Sequence, residues 1–119
     1  MGDVMARGFV YLKKFMDKWD ALYLTDDDLI PLEKYLEENP QVGEVVQGTG
    51  GIRKFRWALP NAGKSGGIRV AYLDIVICER IYMLDLFPKS EKDNYTASEK
   101  KILKKLVTDL KGEMKKGGE

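Results

Sequence analysis

The chain has no histidine and a single cysteine among its 119 residues. The lack of histidine excludes an imidazole acid–base pair and any zinc site built on imidazole. One thiol, Cys78, cannot form an intrachain disulfide, and it leaves a transition-metal site without a donor set. Cys78 follows Ile75, Val76 and Ile77, a setting that points to a buried free thiol rather than a reactive one. No apolar run approaches the roughly 20 residues of a membrane-spanning helix. The opening, Met1-Gly2-Asp3-Val4-Met5, has neither the basic start nor the apolar stretch of a signal peptide. The expectation is a soluble cytoplasmic protein with no membrane partner, no metal and no cofactor. It forms one domain over residues 1–119, with 112–119 a frayed tail.

Charge of one sign is also scarce in the total, which is +1. Along the chain it is polarised. Residues 1–51 carry five basic and ten acidic side chains, whereas residues 52–111 carry thirteen basic and seven acidic. A basic half is the footprint expected for a phosphate-rich partner, because Lys and Arg displace condensed counterions. The other reading is a pair of solvated faces of opposite bias.

Leu12, Phe15, Met16, Trp19 and Leu22 recur at helical spacing and predict a first helix with one apolar stripe. A second follows Thr25-Asp26-Asp27-Asp28, with Leu29, Leu32, Tyr35 and Leu36 on its inner face. If Thr25 is its cap, Pro31 lies past the first turn and should kink it; if Asp28 is, Pro31 does no harm. Asn39-Pro40 ends this helix. After Gly48-Thr49-Gly50-Gly51 the period changes to two. Strands are predicted over Ile52–Leu59, Gly67–Ile75 and Arg80–Phe87, with a further short strand near Gly8–Tyr11. Between the last two long strands, Val76, Ile77, Cys78 and Glu79 must make a turn without Gly or Asn. Thr96-Ala97-Ser98-Glu99 is a capping box for a final helix carrying Ile102, Leu103, Leu106, Val107 and Leu110, with Gly112 as its end. The fold class is α+β: a small antiparallel sheet of three to four strands packed against two N-terminal helices and one C-terminal helix.

Two glycine motifs fail on inspection. Gly63-Lys64-Ser65 resembles the end of a phosphate-binding loop, but Ala58 stands where that motif needs glycine, and a strand follows instead of a helix. Gly48-Thr49-Gly50 has Arg53 in place of the third glycine of a dinucleotide fingerprint. The strand cations are more informative. In Ile52-Arg53-Lys54-Phe55-Arg56-Trp57, Lys54 and Arg56 share one sheet face, while Arg53, Phe55 and Trp57 share the other. Arg69 adds a cation on the next strand, and Lys89 and Lys92 follow the last one. A solvated face kept for solubility gives the same pattern strand by strand.

Four segments resemble the HigB-type toxins of the RelE superfamily: the stretch from Gly48 to Trp57, that from Gly63 to Tyr72, that from Tyr82 to Asn94, and that from Thr96 to Lys101. They span about residues 42–111 in the family's order. The resemblance implies a microbial RNase-like fold and a toxin that cleaves messenger RNA on the ribosome. It also implies a cognate antitoxin, commonly a helix-turn-helix protein of the HigA type, through which the pair reaches operator DNA.

Metal-free RNA cleavage needs a base for the 2′-hydroxyl, cations for the five-coordinate phosphate and an acid for the departing 5′-oxygen. By motif position the resemblance makes Lys54, Arg56 and Arg69 the catalytic set. Lys54 is the candidate base, since crowding by cations favours its neutral form, and the two guanidinium forks hold the phosphate. Arg53, Lys64, Lys89, Lys92 and Tyr95 are candidate RNA contacts. Tyr95 lies near the place of a tyrosine used by some RelE-like toxins, out of certain register, and reads more readily as a core residue. The expectation is that Lys54, Arg56 and Arg69 converge on one solvent-open concavity. A non-catalytic RNA- or ribosome-binding module of the same fold is the alternative, and a protein-interaction domain with a basic face is a weaker third.

Overall fold

The structure, a computed structural model, describes residues 8–59, 67–92 and 94–117, with backbone alone at 114–117. The elements run β1 (Gly8–Tyr11), α1 (Lys13–Ala21), α2 (Asp26–Glu38), β2 (Glu44–Val45), β3 (Arg53–Ala58), β4 (Gly67–Ile75), β5 (Arg80–Pro88) and α3 (Ala97–Gly117). The strands form one sheet in the order β1-β5-β4-β3-β2. From β2 to β5 it is an antiparallel meander, and β1 pairs parallel with β5. The α+β class holds, with the sheet widened to five strands and mixed. The strand missed in the sequence, β2, has two residues, too few to show a period of two.

Sheet alternation builds two cores. Phe55, Val70, Tyr72, Ile81 and Met83 face α1 and α2, meeting Phe15, Trp19, Leu32 and Leu36. Ile52, Leu73, Ile75, Leu84 and Phe87 lie in the second core with Leu103 and Val107 of α3. Each fully buried Phe, Leu or Met side chain stabilises by about 1.5–3 kcal/mol, so both faces are held firmly.

The ambiguity at α2 is resolved in favour of Thr25. Its hydroxyl accepts from the Asp28 N–H at 3.3 Å, and the Asp28 carboxylate accepts from the Thr25 N–H at 2.8 Å. Pro31 therefore lies inside the helix, on its exposed side, where the Asp27 carbonyl loses its N–H partner to the ring. The β4–β5 turn is a 3₁₀ turn at Val76–Cys78 closed by Glu79 at φ 56°, so a non-glycine residue takes the left-handed position. Cys78 in this turn is half-buried, with its thiol 3.6 Å from the Ile75 carbonyl, and so is less enclosed than its neighbours suggest. Gly112 does not end α3, which continues to Gly117. Among the described residues no helix is long and apolar enough to cross a membrane.

Candidate functional site

The strand register gathers the cations. Arg56 of β3 is the direct partner of Arg69 of β4, and Arg69 in turn is the partner of Phe87 of β5. Directly opposed residues share a face, with Cβ atoms about 4.5–5.5 Å apart. Lys54, two residues before Arg56 and opposite Ala71, lies on that same face. This is the α3 side of the sheet. Its apolar part holds Ile52, Ala71, Leu73 and Phe87, and the cations continue it toward the end where β4 begins. The β5 strand finishes at that end too: the Lys89 N–H donates to the Gly67 carbonyl at 3.3 Å, leaving the Lys89 side chain exposed.

Exposure grades across the set. Arg56 is exposed and Arg69 half-buried. Lys54 is only 8% exposed, with Nζ 4.0 Å from the Glu44 carboxylate on β2. The expected solvent-open concavity for all three cations is therefore not what the fold presents: they share a face, but Lys54 is enclosed. Gly43 locks this part of β3. Its φ is +90°, and a Cβ there would stand 2.2 Å from the Lys54 carbonyl oxygen, so any side chain would displace the strand that carries Lys54.

Lys92 joins the same face from the segment after β5. Its Nζ lies 5.0 Å from the Phe87 ring centroid and 4.7 Å from that of Tyr95, and it makes a 2.7 Å ion pair with Glu99. Glu99 also closes the α3 capping box, accepting from the Thr96 N–H at 2.9 Å. The Lys92 and Thr96 hydrogen bonds hold the Glu99 carboxyl down at about 2, against an ordinary 4.5. Because the folded value is depressed, this contribution to stability is present above about pH 4.5 and disappears as pH falls toward 2. Glu99→Gln should accordingly lower the urea midpoint at pH 7, with the gap from wild type closing in a denaturation series run down to pH 2.

Two candidates stand elsewhere. Arg53 faces the other side with Phe55, and its Nη1 donates to the Gly43 carbonyl at 3.0 Å, bracing the β2–β3 approach instead of facing a ligand beside Arg56. Tyr95 is buried at 6% exposure, and its hydroxyl donates to Asp85 Oδ2 at 2.8 Å. It is a core tyrosine, and burial followed by the Asp85 charge pushes its phenol well above the usual tyrosine range. Lys64 lies outside the described residues. Sequence reasoning passed over Asp85 and read Glu99 only as a cap. A signal for Asp85 existed: it is the one acid in the run Ile81-Tyr82-Met83-Leu84-Asp85-Leu86-Phe87.

Residues 10–117 match the family model described as the RelE toxin of the RelE/RelB toxin–antitoxin system. Among solved structures, the chain is similar to a mutant E. coli RelE toxin in the free state. That match has a TM-score of 0.52 at 16% identity, over 74% of this chain and 88% of the other. It is also similar to the same toxin in complex with an antitoxin RelBc peptide, with a TM-score of 0.47 at 19% identity, over 80% and 90% of the two chains. At 16% identity the first likeness speaks for the α+β fold, and the family model, which spans nearly the whole chain, goes further. The chain belongs to the RelE toxin family of toxin–antitoxin systems.

Proposed function

We propose that the protein is a HigB-type toxin that cleaves messenger RNA on the ribosome, acts in the cytoplasm and is neutralised by a cognate antitoxin. The observation that carries this reading is the directly opposed pair Arg56 and Arg69, with Lys54 two residues away on the same face. The two guanidinium groups, placed as direct partners across β3 and β4, present paired donors whose geometry suits a bridging phosphate.

In the proposed reaction the ribose 2′-oxygen attacks the adjacent phosphorus and the bond to the 5′-oxygen breaks. The products are a 2′,3′-cyclic phosphate and a 5′-hydroxyl. Lys54 is the residue assigned to the 2′-hydroxyl proton, and the Glu44 carboxylate, 4.0 Å away, faces its Nζ. Arg56 and Arg69 hold the phosphate oxygens as negative charge accumulates. Lys92 adds a third cation, while Lys89 and Lys64 grip the flanking backbone. The proton for the 5′-oxygen comes from a donor other than Tyr95, whose hydroxyl is committed to Asp85. Enclosure of Lys54 supports dependence on the ribosome: the message has to be bent onto this face, and a decoding site that already holds it supplies the geometry. The antitoxin is proposed to be a helix-turn-helix protein of the HigA type, with operator DNA reached only through it. This follows from the resemblance to HigB toxins, and membership of a toxin–antitoxin family supports an antitoxin partner.

Induction without an antitoxin is expected to arrest bacterial growth and to leave messages whose upstream fragments end in 2′,3′-cyclic phosphate. Continued growth with intact transcripts, while soluble protein accumulates, would sink the reading. One observation favours a second reading: Lys54 is enclosed and ion-paired, as suits a non-catalytic RNA- or ribosome-binding module. Such a protein would bind ribosomes and leave the message whole.

A further inference from the structure

Among the described residues Asp85 is the only buried acid, at 0% exposure, and the chemistry just proposed does not use it. It lies at an irregularity of β5. Tyr72 pairs with Met83 and the adjacent Ala71 pairs with Asp85, so Leu84 is an extra residue and the strand bulges there. The bulge lets Asp85 reach two other elements. Oδ1 accepts from Lys18 Nζ of α1 at 2.7 Å and from the Leu86 N–H at 2.9 Å. Oδ2 accepts from the Tyr95 hydroxyl at 2.8 Å and lies 3.6 Å from Lys14 Nζ.

Stability alone does not call for such a cluster, since apolar residues of similar volume commonly serve as well as a buried ion pair. Its geometry leads to the cationic face. The Tyr95 ring meets Phe87 edge-on at 5.3 Å and 78°. Lys92 rests over both rings, and Phe87 is the strand partner of Arg69. A tyrosine ring free to turn would remove one of the two rings over which Lys92 rests and leave it held only by Phe87 and Glu99. Anchoring the hydroxyl on a carboxylate that is itself held by two helical lysines and a backbone N–H removes that freedom.

We infer that Asp85 is a positioning residue: by fixing the Tyr95 hydroxyl it fixes the two rings that carry Lys92, and so sets the Lys92 ammonium beside Arg69. As a statement about catalysis this rests on the reading of that face as the cleavage site. As a statement about Lys92 it does not.

The test pairs two variants with a signal that lost stability alone would not move. Ring currents of Phe87 and Tyr95 shift the Lys92 ε-methylene protons upfield, and that resonance is assigned by its disappearance in Lys92→Gln. Tyr95→Phe keeps both rings and removes one oxygen; Asp85→Asn keeps the shape and removes the charge. In both, the resonance should move back toward the free-lysine position, and the maximal rate of message cleavage on ribosomes should fall about tenfold with KM little changed. Leu36→Ala, in the opposite core, lowers stability and should leave the resonance in place. A resonance unmoved in either variant overturns the inference, and a moved resonance with undiminished cleavage overturns its catalytic half while upholding Asp85 as the residue that places Lys92. Absence of cleavage by the wild type brings down the proposed function instead, and the resonance then decides alone whether Asp85 places Lys92.

Discussion

Replacing Arg56 and Arg69 together with alanine is expected to lower the rate of message cleavage on the ribosome by about 10³-fold or more while leaving the protein folded. The loss follows from their role. Preorganised donors aimed at developing charge contribute about 10²–10³ each on removal, and the two guanidiniums stand as direct partners across β3 and β4. Like charges directly opposed on a sheet are destabilising, by about 0.2–1 kcal/mol, and relief of that repulsion offsets part of what the contacts of the half-buried Arg69 contribute. Single Lys replacements at either position should retain part of the rate, since an ammonium keeps the charge and loses the two-pronged geometry. RNA binding supplies an independent reading: losing two phosphate contacts should flatten the slope of log K against log salt by about 1.4 for a single strand. Purified variants assayed on programmed ribosomes, with calorimetry alongside, give both numbers. Full-rate cleavage by the double variant would show that this face is not where the phosphate is held.

The sequence reading reached the sheet cations because strand periodicity is strict. Lys54 and Arg56 share a face whatever the register, and Arg69 could be placed on the next strand from its own run. That Arg56 stands against Arg69, and not against Val70 on the opposite face, depends on a register that the sequence leaves open. The pairing of Lys54 with Glu44 depends on β2, and a two-residue strand leaves no pattern to read. The α3 cap was legible, since Thr96 and Glu99 lie within one turn. The dual use of Glu99 was not, because Lys92 reaches it from outside the helix. Asp85 illustrates the hardest case. Its neighbours along β5 announce a buried strand, and only the bulge and two lysines more than 60 residues away explain how a carboxylate is accommodated there.

That same cluster yields the largest expected effect on stability, and the effect is asymmetric. Lys14 and Lys18 are 59% and 36% exposed at their side chains, whereas Asp85 is 1% exposed. Removing the lysines, as Lys14→Met with Lys18→Met, strands a carboxylate that cannot turn toward water. Breaking a buried pair in this way costs about 3–5 kcal/mol. The lower figure applies here because the Leu86 N–H and the Tyr95 hydroxyl remain as donors. At about 4 °C for each kcal/mol in a domain of this size, the midpoint should fall by about 12 °C. Removing the acid instead, as Asp85→Leu, frees two lysines that can rehydrate and leaves the Tyr95 hydroxyl without its partner, for about 1–3 kcal/mol. Combining Lys14→Met, Lys18→Met, Asp85→Leu and Tyr95→Phe leaves no member of the cluster unpaired, so the quadruple variant should recover most of the loss seen in the lysine pair. Chemical denaturation of the three proteins against wild type measures the order directly. If the quadruple variant is nearly as stable as wild type and still cleaves poorly, the cluster is retained for where it places Lys92, since stability alone would then have been met by an apolar strand.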